Sequence, residues 1–382
     1  MHNLTLKPLR GRTPTVIAGL TILAVLGFVG VGRLVNRFQE QQKALARHLY
    51  QRGLTEQLSG KLDLAVQHFR AALGYDPDNF QYQLSLARSL RDSGRIDESE
   101  AYLISLWERS PQNGAVNLAL GRLAVRQARI DKIIQYYHNA IYGVWESNPE
   151  ENRLDAWFEL VRTLLRLNDR PQAQAELIAL SVSLPPKPEL LMQAADLFAQ
   201  AQDYDHSLAD YQRALQIDRA NANAAAGAAE IAFKLGRYRT SEHYLEIANK
   251  AEPHDVHISN MLLISKLILQ QNPFSRGLSA QDRSARIRSI LEEAGKRLDT
   301  CMSSQEQEAN QVQQPDGLSQ LKTQWTQMNR RLSRLGAAGE SGLADEVMDL
   351  VLKIEQQTAS CTPSPQDQAL LLLAQTRAGV EQ

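Results

Sequence analysis

The sequence has few cysteines and no excess of charge of either sign. Only Cys301 and Cys361 occur, which excludes a disulfide framework and any four-cysteine zinc ribbon. The 21 glycines and 14 prolines among 382 residues are too few for a turn-dense sandwich, a collagen or a low-complexity chain, and they favour helix. The 42 basic and 43 acidic residues leave a net charge of −1, so we expect no binding of nucleic acid.

Motifs that carry catalysis are also missing. The sequence has no glycine-rich phosphate loop, no HExxH, no GxSxG and no cysteine pair at metal spacing, so we expect no enzymatic activity, no cofactor and no metal site. The nearest approach to a metal cluster is His254-Asp255-Val256-His257. It falls at a predicted turn, where His and Asp commonly satisfy helix ends.

A long apolar run lies near the N-terminus. Residues 13–32 carry no charge, and about 20 helical residues cross a hydrocarbon core of about 30 Å. Cationic flanks argue against a buried helix of a soluble core. A cleaved signal peptide is the competing interpretation, but its apolar region is usually only about 7–15 residues long. We expect an uncleaved single-pass anchor between a basic tail, residues 1–12, and a juxtamembrane segment, residues 33–45.

The side of the membrane on which the bulk of the chain lies is less clear from the sequence. Basic residues stand on both sides of the apolar run, so the positive-inside rule does not decide. They are Lys7, Arg10 and Arg12 before it, and Arg33, Arg37, Lys43 and Arg47 after it. A short basic tail commonly stays in the cytoplasm, which favours an extracytoplasmic location, periplasmic if the source is bacterial.

A repeat with a period of 34 residues follows the apolar run. Pairs of small or helix-ending residues stand 34 apart: Gly60 and Gly94, Pro77 and Pro111, Ala87 and Gly121, Ala214 and Ala248. Small residues allow two helices to cross closely, Gly ends a first helix and Pro stops a second. Six units begin at Ala46, Phe80, Gly114, Leu154, Pro188 and Ala222, with an insertion before the fourth.

The unit resembles the tetratricopeptide repeat. In the first unit, the slots of that pattern are occupied by Gly53, Gly60, Ala65, Phe69, Ala72 and Pro77. The resemblance implies an all-α fold, a right-handed α-solenoid with six repeats over residues 46–255. An ordinary helical bundle is the alternative, which the recurring 34-residue punctuation disfavours.

The pattern weakens after the sixth unit. Residues 256–302 resemble a degenerate seventh repeat or cap, with helices at Val256–Gln271 and Ala280–Thr300. Residues 303–317, rich in Gln and Ser, are interpreted as a mobile linker. Residues 318–382 form a C-terminal helical segment that either caps the array or docks a partner. Its predicted helices are Leu318–Leu335, Leu343–Gln357 and Gln366–Gly379.

The two cysteines stand 60 residues apart. Cys301 and Cys361 either form a disulfide, if the compartment is oxidising, or remain two unpaired thiols.

Charged residues recur at slots that line the concave groove in tetratricopeptide proteins. The resulting candidate groove residues are Arg88, Arg91, Arg122, Arg126, Arg162, Arg166, Asp196 and Glu230. Arginine binds carboxylates bidentately, so we expect a groove for acidic segments of partner proteins. Two other interpretations remain open: a solvated polar stripe, or arginines paired with Asp92, Asp155 and Glu159.

Together these features predict a non-enzymatic, membrane-anchored interaction scaffold of a cell-envelope complex. The alternative is a regulator that recruits or controls an envelope enzyme or protease, similar to membrane-anchored tetratricopeptide proteins that control lipopolysaccharide synthesis. Those carry a rubredoxin-like module with paired cysteines, which this chain lacks. A catalytic C-terminal segment is the weakest alternative, and the sequence indicates no oligomeric state.

Overall fold

The computed structural model describes residues 13–308, 316–334 and 342–376. Over these residues the chain is helical, apart from turns and one isolated β-bridge between Asn113 and Val144. It divides into two compact units, residues 1–160 and 161–382, and the division falls inside one helix. The basic tail expected at residues 1–12 lies outside the described residues.

The helices of the first unit follow each other in pairs. In chain order they are α1 (Thr13–Leu58), α2 (Leu62–Tyr75), α3 (Phe80–Asp92), α4 (Ile96–Arg109), α5 (Gly114–Arg126) and α6 (Ile130–Ile141). Helix α7 (Pro149–Arg166) contains the division between the units.

The second unit continues the pairs and ends in longer helices. These are α8 (Arg170–Ser183), α9 (Pro188–Gln200), α10 (Tyr204–Ile217), α11 (Ala222–Lys234), α12 (Tyr238–Ala251), α13 (Val256–Gln271), α14 (Ala280–Glu308), α15 (Asp316–Arg334), α16 (Leu343–Gln357) and α17 (Pro365–Thr376).

The turn between the two helices of each repeat has one conformation throughout. The second residue after each first helix is left-handed, with φ between 54° and 82°: Gly60, Gly94, Ala128, Asn168, Gln202 and Gly236. The next N–H then reaches back five residues, as Arg95 does to the Leu90 carbonyl at 2.8 Å. This Schellman motif satisfies carbonyls that the helix end would leave unpaired. Only half of these positions are glycine.

Close crossings explain the small residues of the pattern. A Cβ at Gly53 would lie 2.6 Å from the Phe69 ring, and one at Gly121 would lie 2.8 Å from the Tyr137 ring. Both rings are fully buried. The glycines therefore let each first helix rest directly on an aromatic ring of its second helix.

The apolar run and the first repeat form one uninterrupted helix, α1, of 46 residues. Its segment Ala18–Leu58 contains an 18-residue window with a mean hydropathy of 2.0, and none of that window is buried. The chain thus has an N-terminal helix that is long and apolar enough to cross a membrane, a property that signal sequences share.

The connection between α6 and α7, residues 142–148, pairs with the turn before α5. The Val144 N–H donates to the Gln112 carbonyl at 2.7 Å, and the Gly114 N–H donates to the Val144 carbonyl at 2.8 Å. A Cβ at Gly114 would come within 2.3 Å of Trp145, so that ring requires a glycine there. The insertion before the fourth repeat is therefore held in place by these two backbone hydrogen bonds and by the packing of Trp145.

The C-terminal helices close the core of the second unit. Buried residues of α13, α14, α16 and α17 join one apolar cluster, including Ile268, Leu298, Val351 and Leu370. Helix α14 runs to Glu308, beyond the expected Thr300, and α15 begins at Asp316. The mobile linker expected at 303–317 therefore overlaps two helices, and residues 309–315 lie outside the described part. Helices α16 and α17 pack against α13 and α14.

A buried arginine and a disulfide hold the α16–α17 turn against α14. Cys301 and Cys361 form a disulfide with their Cα atoms 5.7 Å apart. One turn earlier, Arg297 donates to the carbonyls of Thr358, Cys361 and Thr362 at 2.6–2.8 Å.

Candidate protein-binding surface

Three arginines and one glutamate of the first unit form a cluster on the first helices of consecutive repeats. We call Arg88, Arg91, Arg122 and Glu159 the arginine cluster. Arg88 and Arg91 stand three residues apart on α3 and therefore share a helix face. Arg122 lies on α5 and Glu159 on α7. Burial, and then the positive charges of Arg122 and Arg91, lower the pKa of Arg88.

Arg122 is neutralised by Glu159. Its Nε and Nη2 donate to the two carboxylate oxygens at 2.8 and 2.6 Å, and the Tyr137 hydroxyl donates to the same carboxylate at 2.7 Å. Burial alone would raise the pKa of Glu159, but the hydrogen bonds from Arg122 and Tyr137 outweigh it and lower that pKa. The hydrogen bond with Glu159 raises the pKa of Arg122. Both side chains are therefore ionised, and their opposite charges cancel.

Arg91, one of the candidate groove residues, is buried. Only 9% of it is exposed, and its Nη2 lies 2.8 Å from Asp92 Oδ1, which also accepts from Nε. Its remaining nitrogen, Nη1, is buried without a hydrogen-bond partner among the described residues. Pairing with Asp92 was one of the open interpretations, and for Arg91 it applies.

Arg88 differs from both neighbours. Its side chain is half-buried, and its Nε is buried without a hydrogen-bond partner in the described part of the chain. Burial, followed by the charges of Arg122 and Arg91, lowers the pKa of Arg88 to about 10. At neutral pH the guanidinium is still protonated. Because the charges of its neighbours are matched by Glu159 and Asp92, Arg88 carries the unmatched positive charge of the cluster.

Polar groups extend this surface at both ends. The Tyr50 hydroxyl of α1 lies 3.1 Å from Ser85 Oγ of α3, within hydrogen-bond distance. Arg126, in the last turn of α5, is exposed. Leu54, the counterpart of Arg88 in the first repeat, packs against the apolar cluster around Phe69.

The candidate residues of the second unit are more exposed, and most of them have a hydrogen-bond or ion-pair partner. Arg162 and Arg166 are exposed, and Arg166 Nη2 donates to Thr163 Oγ1 at 3.1 Å. Asp196 accepts a short hydrogen bond from the Tyr211 hydroxyl. Glu230 pairs with Lys234 at 2.8 Å. The two acids thus have local partners within their own unit.

Two features of the surface were missed by the sequence interpretation. Tyr137 was not among the candidate residues, yet its hydroxyl helps to hold Glu159. The difference between Arg88 and Arg122 was also missed, since both occupy the same slot of consecutive repeats. The only sequence signal was an acid near each arginine, which does not show which arginine remains unmatched.

The described residues offer no metal site. Among them, no group of three or more His, Cys, Asp or Glu side chains could hold a metal ion. Asp255 Oδ1 instead accepts from the N–H groups of His257 and Ile258 at 2.8 and 3.0 Å. It thereby caps α13, as the sequence interpretation expected for this turn.

Two stretches of the chain match models of the tetratricopeptide repeat, residues 58–123 and residues 158–224. The paired helices and recurring turns have the repeat architecture of those models. These stretches are tetratricopeptide repeats, and the fold is the all-α solenoid that the sequence predicted. Tetratricopeptide repeats are protein-interaction modules, so the chain belongs to the class of protein-binding scaffolds.

Solved structures with similarity to the chain are distant in sequence. The C-terminal part of a repeat protein from Cytophaga hutchinsonii is 11% identical, with 64% of this chain and 94% of that chain covered and a TM-score of 0.43. PilF of Pseudomonas aeruginosa is 17% identical over 57% of this chain and 97% of its own, with a TM-score of 0.39. YrrB, a tetratricopeptide protein with an unusual peptide-binding site, is 15% identical over 50% and 95%, with a TM-score of 0.36. No curated protein matches the sequence.

Proposed function

We propose that this protein is a non-enzymatic, single-pass membrane scaffold of the cell envelope that binds an acidic segment of a partner protein at the arginine cluster. The observation that carries the proposal is Arg88, which is half-buried and charged with an unsatisfied Nε. Its neighbours in the cluster already have counter-ions.

An unpaired, partly buried charge is costly, and a carboxylate from a partner would remove that cost. Such a carboxylate would pair with Arg88 at the part of this half-buried side chain that reaches the surface, whereas Arg88 Nε and Arg91 Nη1 are buried and lie out of its direct reach. Charge-assisted hydrogen bonds to a guanidinium are about twice as strong as neutral ones. Glu159 and Asp92 limit the net charge of the cluster, so the site favours one acidic side chain over a polyanion.

Membrane attachment is supported by α1. None of its apolar window is buried against the rest of the described chain, which leaves this surface available for contact with lipid. Arg33 and Arg37 follow the apolar run directly, where cationic side chains suit lipid headgroups. The disulfide between Cys301 and Cys361 supports an extracytoplasmic location, because disulfides persist in oxidising compartments.

Reporter fusions and an intact-mass measurement test the anchor. Reporters joined after Ala44 and at the C-terminus should be active only on the extracytoplasmic side. The mass of the membrane-extracted protein should include the apolar run. Activity of both reporters in the cytoplasm would overturn the location, and a mass lacking the run would identify a cleaved signal sequence.

A peptide-selection experiment tests the binding site. The full-length protein in detergent is exposed to a displayed library of random extended peptides, and the enriched sequences are compared with those of Arg88→Gln. The wild type should enrich Asp and Glu, and the variant should lose that enrichment while keeping its helical spectrum and melting temperature.

The matched control is Arg70→Gln. Arg70 lies on second helix α2, where it pairs with Glu98, so its replacement removes an equal charge from the other helix of a repeat. The control should keep the acidic enrichment of the wild type. Equal enrichment by Arg88→Gln and the wild type would contradict the proposal.

A further inference from the structure

The part of α1 between the apolar run and the first repeat carries a row of exposed apolar side chains. Val31, Leu34, Phe38 and Leu45 are 63%, 74%, 60% and 43% exposed. Their spacing of three, four and seven residues is the heptad spacing of a coiled-coil seam. Polar residues occupy the opposite side, at Asn36 and Lys43. We call this row the α1 seam.

The spacing of the seam continues into the apolar run. Counting back by the same spacing from Val31 gives Gly27 and Ala24, both exposed and both small. No atom lies within 4 Å of the position that a Cβ of Gly27 would take. Small residues at such positions let helices approach closely within a membrane. The seam therefore runs along one side of α1 from the membrane segment into the aqueous segment.

Lipid does not account for the upper part of the seam. At 1.5 Å per residue, Phe38 lies about 9 Å and Leu45 about 20 Å beyond Gly32. The headgroup layer adds only about 5–8 Å on each side of the hydrocarbon core. Because α1 is one continuous helix from Thr13 to Leu58, this segment does not turn aside to lie on the membrane surface.

We infer that the α1 seam is the dimer interface of this protein, occupied by α1 of a second copy in parallel. This inference rests on the proposed anchor. The occupant has to be a helix that crosses the membrane at the same level, with apolar side chains at the same spacing on both sides of the boundary. A second copy meets this requirement in register, because each seam residue then faces its own counterpart.

The polar residues of the segment fit this arrangement. Gln41 is the one polar residue within the seam between Leu34 and Leu45, and its exposed amide can both donate to and accept from the Gln41 amide of a second copy. One such polar pair fixes register and a two-stranded state. Arg33, Glu40 and Lys43 stand away from the seam, and Arg37 borders it beside Phe38 without entering it, so no like charges meet within it.

Cysteine scanning of the full-length protein in its membrane tests the dimer. The native disulfide is retained, and single variants Phe38→Cys and Gln41→Cys on the seam are compared with Asn36→Cys and Lys43→Cys on the opposite side. After mild oxidation, the seam variants should form covalent dimers on a non-reducing gel and the opposite variants should remain mostly monomeric. Equal crosslinking at all four positions, or none on the seam, would overturn the dimer.

A second measurement does not depend on introduced thiols. Leu34→Ser combined with Phe38→Ser should convert the detergent-solubilised protein from dimer to monomer by light scattering, whereas Asn36→Ser combined with Gln39→Ser should leave it dimeric. The helical spectrum should be unchanged, because these residues lie outside the repeats. A monomeric wild type would contradict the inference.

Carbonate extraction separates failure of the dimer from failure of the anchor. If the protein is released into the soluble fraction, both the anchor and the dimer are overturned. If it stays in the membrane without seam-specific crosslinks, only the dimer is overturned.

Discussion

Arg122 and Glu159, 37 residues apart in sequence, join first helices of two consecutive repeats through hydrogen bonds of 2.8 and 2.6 Å. The carboxylate of Glu159 also lies within the electrostatic reach of Arg91. Glu159 thereby neutralises part of the positive charge of the arginine cluster, and Arg88 is the arginine whose charge remains unmatched. The specificity of the arginine cluster therefore depends on Glu159 as well as on the arginines.

We predict that Glu159→Gln strengthens the binding of acidic peptides. The amide oxygen still accepts from Arg122 Nε and the Tyr137 hydroxyl, Arg122 Nη2 loses its acceptor, and the cluster gains one positive charge. Loss of a partly exposed ion pair should lower the free energy of unfolding by no more than about 1 kcal/mol. Titration with one acidic peptide from the selection, at two salt concentrations, measures the effect.

Glu100→Gln is the control for this prediction. Glu100 pairs with Arg129 at 2.9 Å, and both residues lie outside the cluster. Its replacement by Gln changes the net charge of the protein by the same amount as Glu159→Gln. It should leave the affinity unchanged. Equal gains in affinity from both variants would show that net charge, rather than the cluster, governs binding.

We predict that Gly121→Ala destabilises the first unit. The added Cβ would lie 2.8 Å from the fully buried ring of Tyr137, which has little room to move. Overpacking of this kind typically costs about 1–3 kcal/mol. Urea unfolding followed by circular dichroism provides the measurement. Gly74→Ala is the matched control, since nothing lies within 4 Å of that Cβ, and a helical alanine there should be neutral or stabilising.

The repeat punctuation shows how far the sequence predicts this fold. Gly60 and Gly94 mark two of the turns between repeat helices, where glycine was expected to end a first helix, and both are left-handed. Ala128 and Gln202 adopt the same conformation, although neither residue favours it. In those repeats the packing of the two helices and the Schellman hydrogen bonds fix the turn, and a single repeat does not reveal this from its own residues.

Strain at those two turns gives a third prediction. A non-glycine residue in the left-handed region costs roughly 1–2 kcal/mol. Glycine avoids this cost, but it loses more backbone entropy on folding, which offsets part of the gain. Ala128→Gly should therefore raise the free energy of unfolding by up to about 1 kcal/mol, and Gln202→Gly by less, because it also removes the hydrogen bond that Arg170 donates to Gln202 at 2.8 Å. Gln127→Gly, one residue earlier at φ −89°, serves as the comparison and should destabilise, both because glycine costs chain entropy there and because the hydrogen bond of Gln127 to Glu100 at 2.7 Å is lost. Lower stability of Ala128→Gly and Gln202→Gly would contradict the strain.

The candidate surface was less predictable than the fold. Repeat position identified the slots of Arg88 and Arg122, because helix geometry places equivalent slots on one face. Which arginine is matched depends on a residue in a following repeat, Glu159, and on a hydroxyl of a second helix, Tyr137. Such contacts come from tertiary packing, which a 34-residue period does not encode.

The disulfide leads to a fourth prediction. A bridge that closes a loop of 60 residues restricts the unfolded chain, and its removal typically costs about 2–5 kcal/mol. Cys361→Ser combined with Cys301→Ser should lower the stability of the second unit by that amount. Reductant should destabilise the wild type and leave the double variant unchanged. A reductant effect of equal size on both proteins would show that the bridge is not its cause.

A buried carboxyl beside this bridge should make stability depend on pH. Only 5% of Glu355 is exposed, its Oε1 has no hydrogen-bond partner among the described residues, and its Oε2 lies 4.0 Å from Arg297 Nε. Burial, and then the charge of Asp367, raise the pKa of Glu355 to about 7 against the opposing effect of Arg297. The folded protein therefore binds a proton that the unfolded chain releases near pH 4.5. Stability should fall as pH rises from there to about 7, and then level off.

Glu355→Gln should remove this pH dependence. The neutral amide carries no desolvation penalty for charge, so the variant should exceed the wild type at pH 8 by at most about 3 kcal/mol and match it near pH 4. Urea unfolding across this pH range measures the difference. Glu346→Gln is the control on the same helix, because that exposed carboxylate pairs with Arg331 and should not alter the pH profile. Parallel curves for the wild type and Glu355→Gln would mean that Glu355 is ionised in the folded protein throughout, with Arg297 compensating its charge.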